Sequence, residues 1–359
     1  MILTVAPRGS DGEFDRFLAL SKEIGADILK TQGAGGNTSL KDGDMMWVKA
    51  SGTWLAQAGD RDIMVPVRVT PLVEALRQGD PRAEKATDFI VGALNTSGLR
   101  PSIETSFHAA LTNRVVAHYH CVNAIALSVL AQRDEILKTK LDAAGMKWAT
   151  TPYRRPGTPL AREVDHVAAD KPDVLILYNH GIIVTGETVE EVSGRIEQVT
   201  AALEVPVRQV SQPDIKALQH IAEGSSYAPA SDEASHQLAL SPENIRIATG
   251  GSMYPDHVIF LGTKIGLLEA GQLLQAYLES FDGTEGGAPK MIIVPGSGVL
   301  VSNALTPGGQ VMVRCLAEVV SRIPDGADVV YLSQADEYEL TNWEAEQYRQ
   351  ALDRGAAKS

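Results

Sequence analysis

Two periodicities divide the chain into elements. In "SDGEFDRFLALSKEIGADILK" the apolar residues Phe14, Phe17, Leu18, Leu20 and Ile24 recur at helical spacing behind a Ser10/Asp11 start signal, which predicts an opening helix. A glycine-rich turn follows. "MMWVKA" then reads as a strand, "PSIETSFHAALTN" as a helix, "RVVAHYH" as a strand and "CVNAIALSVLAQ" as a helix. "DVLILYN" has the apolar run of a buried strand, and "TVEEVSGRIEQVTAALE" is a long amphipathic helix. Strands and helices mixed in this order, with short turns, predict one compact α/β layer structure.

From Val205 to about Ser241 the pattern weakens and Ser, Pro, Asp and Ala dominate, although "DIKALQHIAE" suits a short helix. We read a domain at 1–205, a linker at 206–240 and a smaller α/β domain at 241–359. The last part alternates. "DHVIFLG", "KMIIVPG" and "ADVVYLS" read as strands. "IGLLEAGQLLQAYLESF", "GGQVMVRCLAEVVSRI" and "TNWEAEQYRQALDRG" read as helices. That alternation predicts a small parallel sheet with helices packed on it.

Composition narrows the class. The 359 residues are 44% hydrophobic and 21% charged, an ordinary globular balance, and the formal net charge of −13 argues against a nucleic-acid-binding protein. Two cysteines, Cys121 and Cys315, imply no disulfide framework and suit a reducing compartment. No run approaches the ~20 apolar residues of a membrane span. The start "MILTVAPRGSDGEF" lacks the charged and apolar regions of a signal peptide. A cytoplasmic location with no membrane partner is expected.

Candidate chemistry begins with the histidines, of which there are eight. His118 and His120 stand at i and i+2 of a predicted strand, so both side chains point to one face and can reach one ion. His180, at the end of the buried run "VLILYNHGIIV" and before Gly181, is the candidate third ligand where the backbone is expected to turn sharply. Three imidazoles suit zinc or a similar divalent metal and leave a coordination position open. The plainer alternative for the pair is a core or surface role. His166, His220, His236 and His257 have no such partners and read as structural or exposed.

Glu104 starts the helix that leads to the histidine strand. It can be a general acid/base held near the metal or a simple helix-start carboxylate, as the neighbouring Ser102 would favour. His108, one turn later, reads equally as a partner of Glu104 or as packing. "GAGGNTSLK" is neither a dinucleotide fingerprint nor a P-loop, because Thr38 stands where the former needs Gly and the latter's GK[ST] is missing. Its glycines still allow an anion nest, and Asn37, Thr38 and Ser39 add hydrogen-bonding groups. "KASGTWL" repeats that chemistry with Ser51, Gly52 and Thr53. Two ordinary turns are the alternative; together they suggest a phosphate pocket.

The ordered set "GAGGNTSLK", "KASGTWL", "PSIETSFH", "AHYHCVNAIALS", "PYRRPGTPLA" and "LYNHGIIVTGETVEEV" resembles the class II aldolase/adducin family over about residues 15–205. The resemblance implies an α/β/α fold with a central, mainly antiparallel sheet. It implies His118, His120 and His180 as metal ligands and Glu104 as the acid/base. It also implies Asn37, Ser51, Gly52 and Ser102 as contacts to a substrate phosphate. The implied activity is a metal-dependent aldolase, a lyase that cleaves a ketose phosphate by retro-aldol reaction through a metal-stabilised enediolate. The implied cofactor is Zn2+, with Mn2+ or Co2+ as alternatives, and the implied assembly is a homo-oligomer, a tetramer. The same constellation supports an epimerase, dehydratase or decarboxylase acting on a sugar phosphate. An adducin-like scaffold without catalysis is the alternative from another class, and the three histidines and the glutamate speak against it.

Two departures point to a branch of that family. Ile103 stands where the fuculose-phosphate type has a second serine, and the gap from the glutamate to the first metal histidine is shorter. Both features resemble the aldolase portion of bifunctional rhamnulose-1-phosphate aldolase/alcohol dehydrogenases. "MIIVPGSGVLV" and "DEYELTNWEAEQYR" are similar to the segment that follows the aldolase core in that branch. The sequence ends at Ser359, so no dehydrogenase domain is expected, and "PGSG" reads as a strand-ending turn.

Overall fold

The computed structural model describes residues 12–284 and 286–344, together with residues 352 and 355. Contacts divide the chain into two units. The first comprises Met1–His120, Lys140–Leu177 and Gly181–Ala202; the second comprises Cys121–Thr139, Tyr178–His180 and Leu203–Ser359.

The first unit is built on seven strands: β1 (Asn37–Asp42), β2 (Met45–Lys49), β3 (Met64–Arg68), β4 (Val115–Tyr119), β5 (Trp148–Thr151), β6 (Val174–Leu177) and β7 (Gly181–Gly186). Their order across the sheet is β3-β2-β1-β4-β7-β6-β5, and every pair is antiparallel except β5 with β6. The mainly antiparallel α/β arrangement is therefore as expected. On one face, Leu72, Leu76, Phe107, Leu111, Leu160 and Val164 from the helices pack on sheet residues including Val48, Val67, Val116, Leu175 and Ile183. Helices Glu13–Ala26 and Val189–Ala202 touch each other and strands β1, β4 and β7. Phe14, Phe17, Leu20 and Ile24 are the buried apolar residues of the opening helix, close to its expected stripe. The Ser10/Asp11 start signal lies outside the described residues.

Register decides what this sheet can build. Asn37 pairs with His118 and Ser39 with Val116 across β1 and β4, and His118 pairs with Ile183 across β4 and β7. Paired residues share a face. Val116 and Ile183 face the helical core that contains Phe107, so Asn37, Ser39 and His118 lie on that same side.

The second unit carries a four-stranded sheet of β8 (Tyr227–Pro229), β9 (Gly266–Leu267), β10 (Met291–Val294) and β11 (Gly298–Ser302), in the order β8-β11-β10-β9. Only β9 with β10 is parallel; β10 with β11 and β11 with β8 are antiparallel, which corrects the expected parallel sheet. The reason is local. The "PGSG" turn sends the chain straight back as a hairpin, where a helical crossover would have given parallel strands. The stretch 206–240, expected as a linker, contains helix Ile215–Ala222, strand β8 and a 3-10 turn at Glu233–Ala239, and Leu218, Ala222 and Tyr227 pack in the core of this sheet.

Three other expectations differ. "DHVIFLG" is a π-helical turn, His257–Leu261, with all five residues buried. "IGLLEAGQLLQAYLESF" is split into β9 and a helix at Leu274–Glu279, with Gly271 at φ +79° between them. "ADVVYLS" forms only an isolated bridge, Val329 to Leu130, and helix Gln334–Thr341 follows. Most of the helix expected in "TNWEAEQYRQALDRG" lies outside the described residues. Helix Pro307–Val320 forms as expected, with a Thr306 cap accepting from Gly309 N. Among the described residues, no helix is long and apolar enough to cross a membrane.

The π-helical turn gives a prediction about stability. Burial pushes the His257 imidazole down to about 4, and its Nδ1 accepts a hydrogen bond from Met253 N at 3.4 Å. The unfolded ring titrates near its usual value of ~6.5. The neutral ring therefore adds no penalty above that pH. As pH falls from ~6.5 towards 4 the unfolded state takes up a proton that the folded state refuses, and stability drops by about 3 kcal/mol. Denaturant titrations of the wild type and His257→Asn across this window should show the wild type losing more; equal losses would refute the assignment.

Candidate metal centre

His118 lies in β4, His120 follows that strand directly, and His180 ends the three-residue connection from β6 to β7. One ligand atom from each of the three can be chosen so that all lie within 4.8 Å of one another, and all three residues are buried. The His118 ring is oriented from behind, with Nδ1 3.0 Å from Ile182 O. A neutral ring donating there presents Nε2 as its lone-pair nitrogen. Phe107 meets the same ring edge-on at 5.4 Å between centroids. Gln32 Nε2 donates to His120 O at 3.3 Å. Three convergent imidazole donors with a carboxylate at their edge fit a divalent cation of intermediate softness.

The turn that carries His180 differs from its expected form. The left-handed residue is Asn179, at φ +54°, and Gly181 has no positive φ. Asn179 is held by its side chain, whose Nδ2 donates to Met253 O (2.9 Å) and Val330 O (2.7 Å), and by its backbone N–H, which donates to Ser128 Oγ (3.3 Å). Asparagine tolerates this conformation better than most residues. Gly181 serves space instead. A Cβ there would stand 2.7 Å from Tyr119 O, 3.2 Å from His120 Cδ2 and 3.3 Å from His118 Cε1. Gly36, at φ +62°, likewise passes close to His118 O.

Glu104 stands 3.5 Å from His118 Nε2 through Oε2, and is 6% exposed. It directly precedes helix Thr105–Ala110 but makes no side-chain cap bond to it, so the capping alternative has no support. The same Oε2 accepts from Asn37 Nδ2 at 2.8 Å. Ser102 Oγ accepts from Asn37 Nδ2 at 3.0 Å and from Glu104 N at 3.3 Å. Asn37, Ser102, Glu104 and His118 thus form one buried polar cluster. His108 extends it: Nδ1 is 2.8 Å from Ser39 Oγ and Nε2 is hydrogen-bonded to Asn37 Oδ1. Burial holds the His108 ring well below its usual pKa, and the nearby Lys41 and His118 act in the same direction.

Ser51 and Gly52 sit in a turn after β2. Ser51 N donates to Arg100 O and Ser102 N to Lys49 O, both at 3.0 Å, and Ala50 bridges to Pro101, so the turn and the Ser102 segment are joined along their backbones. Lys49 was not anticipated. Its side chain is almost fully buried, and Nζ donates to Ala34 O (3.0 Å) and Thr53 O (2.6 Å). One ammonium therefore ties the "GAGGN" turn to the "SGT" turn. Lysine between two glycine turns was the available signal, but a sequence does not show that the side chain runs inward.

Comparison with known proteins came to the same half of the chain. Residues 17–207 match the family described as Class II Aldolase and Adducin N-terminal domain. The chain is 28% identical over 183 residues to a 3-oxo-tetronate 4-phosphate decarboxylase of Escherichia coli K12, covering 45% of this chain and 85% of that protein. It is 28% identical over 159 residues to an L-fuculose phosphate aldolase of Methanococcus vannielii, covering 44% and 76%. To the uncharacterized oxidoreductase YuxG of Bacillus subtilis it is 29% identical over 184 residues, covering 47% of this chain but only 26% of that protein. Among solved structures, the N-terminal class II aldolase domain of a conserved protein from Thermoplasma acidophilum aligns over 56% of this chain and 97% of its own, at 24% identity and a TM-score of 0.47.

Proposed function

Because the chain belongs to the class II aldolase and adducin N-terminal domain family, with a buried cluster of three histidines that fits a divalent metal, we propose that it is a metal-dependent aldolase that cleaves a ketose phosphate. The observation that carries this reading is the Glu104 carboxylate 3.5 Å from His118 Nε2, a proton-transfer group at the edge of the metal cluster. His118, His120 and His180 would hold the ion, with zinc first and manganese or cobalt as alternatives. When bound, it supplies Lewis acidity towards the negative charge that develops on the substrate's oxygens. Glu104 takes the proton from the hydroxyl that becomes the aldehyde. The carbon–carbon bond breaks, its electron pair passes to the enediolate, and Glu104 returns the proton to carbon. Asn37 keeps the carboxylate oriented, and the turns around Asn37, Ser51 and Gly52, with Ser102, receive the phosphate. Binding energy from that remote group is spent on orientation at the reacting carbons.

Within the family, the reading follows the aldolase portion of the rhamnulose-1-phosphate aldolase/alcohol dehydrogenases, supported by Ile103 and the short spacing from Glu104 to His118. Residues 1–205 are the proposed catalytic domain and 241–359 the body of a second domain, in a cytoplasmic homotetramer. One second reading has a specific support. The similarity to a protein named 3-oxo-tetronate 4-phosphate decarboxylase favours decarboxylation of a keto-acid phosphate, because loss of CO2 leaves the same kind of enediolate, to which Glu104 would relay a proton taken up from solvent.

The test is NMR of the metal-assayed protein with a panel of ketose and keto-acid phosphates, with and without chelator. Chelator-sensitive release of dihydroxyacetone phosphate and an aldehyde is the expected result. Chelator-sensitive CO2 release would shift the reading to decarboxylase. Absence of both turnover and bound metal would overturn it.

A further inference from the structure

His108 lies one helical turn after Glu104, and its side chain is fully buried. Both ring nitrogens meet side chains of β1, Ser39 at Nδ1 and Asn37 at Nε2. Asn37 and Ser39 are two residues apart in a strand, so they present to one face and bracket the ring. The direction of every bond in this row follows from its far end. An ionised carboxylate only accepts, so Asn37 must turn its NH2 to Glu104, and the same nitrogen lies in reach of Ser102 Oγ. The amide oxygen then faces His108. A carbonyl oxygen only accepts, so Nε2 of His108 carries the hydrogen. In the neutral ring Nδ1 is an acceptor, and Ser39 Oγ donates to it.

We propose that His108 is a positioning residue: through Nε2–H it fixes the Asn37 amide so that its NH2 points at Glu104 and keeps that carboxylate aimed at the metal centre. The inference rests on the acid/base role proposed for Glu104. Its physical content is the asymmetry of the amide. Without a donor opposite its oxygen, Asn37 can rotate, and a rotated amide sets its oxygen against the carboxylate. Buried polar groups left without their partner are costly, and a row of them is held in one arrangement only when each member is satisfied.

Two substitutions separate positioning from packing. His108→Leu keeps an apolar filler and removes the donor. His108→Gln supplies an N–H from a side chain of similar reach to Nε2. In the metal-assayed chain, His108→Leu should lower kcat by about 10–100-fold, the range for removing a partner that orients a site residue, with KM and metal content within about twofold of wild type. His108→Gln should recover most of that loss. NMR of the 15N-labelled protein reads the arrangement without turnover: the proton of His108 should sit on Nε2, and the Asn37 side-chain amide should exchange slowly in the wild type and faster in His108→Leu. A proton on Nδ1, or a Leu variant that turns over like the wild type, would overturn the inference. Failure of the aldolase reading looks different, with no turnover by the wild type while the Nε2–H and the slow Asn37 amide remain.

Discussion

Glu104→Gln should bind metal at the wild-type stoichiometry and turn over about 10^2 to 10^4 times more slowly. That range is the usual contribution of a positioned acid/base, equivalent to about 3–5 kcal/mol of barrier. The substitution is the cleanest available at this site because it keeps the shape. The amide oxygen of Gln can still accept from Asn37 Nδ2, which lies 2.8 Å from the present carboxylate. The helix that follows takes no capping bond from this side chain, so its start is unaffected. What disappears is the ability to take a proton from a hydroxyl and hand it to carbon. The measurement is steady-state kcat with metal content by mass spectrometry on the same sample. A variant within about threefold of wild type would remove Glu104 from the chemistry and leave it a structural member of the polar cluster. A variant that also loses its metal would mean that the carboxylate belongs to the ligand set.

Much of the histidine cluster is legible in the sequence, for a simple reason. A spacing of two in a strand puts two side chains on one face whatever the rest of the fold does, and His118 and His120 needed nothing more. The third histidine depends on a turn, and the neighbouring residues mark where that turn is but not how it is made. Glycine after His180 suggested a sharp bend, whereas the bend is made at Asn179 and the glycine makes room for the two other histidine rings. Both facts leave the same letters, N-H-G, in the sequence. The sequence marks Glu104 as a carboxylate that can be held near the metal and His108 as a possible partner, but not the 3.5 Å approach of Glu104 Oε2 to His118 Nε2, which depends on how helix Thr105–Ala110 lies on strands that pair across long stretches of chain. The bonds of His108 and Lys49 are hidden for the same reason. A buried lysine and a buried histidine read as ordinary polar letters until the register places Ser39 and Asn37 on one face and the two glycine turns within one ammonium's reach.

The second unit is less legible in the sequence, for one shared reason. A short apolar run such as "HVIFL" is buried on all sides, and periodicity cannot then separate a strand from a helical turn. The alternating β and α pattern predicts a parallel sheet only because it leaves "GVLVS", which directly follows the turn after β10, without an element of its own. Once the hairpin is recognised, the antiparallel pairing follows directly.

Loss of any one histidine of the cluster should cost the protein its metal and, with it, its turnover. Even a partner that merely orients a ligand is worth about 10–100-fold in metal affinity, so removing a donor outright should weaken binding by more than about a hundredfold. The three positions should nevertheless differ in the metal-free protein. His118 also holds Ile182 O through Nδ1, at the end of the β4–β7 pairing that leads into the histidine turn, so His118→Ala should lower the melting temperature without metal. A smaller change is expected for His180→Ala, whose turn is already clamped by the side chain of Asn179. Thermal melts with and without added zinc separate the two effects. A ligand that binds only the folded state stabilises it by about 2.7 kcal/mol at a hundred times its Kd. The wild type should therefore show a clear zinc-dependent rise in Tm that all three alanine variants lack. If a variant still takes up one equivalent of zinc and still rises in Tm, that histidine is no ligand, and the chemistry proposed for Glu104 would need a different partner.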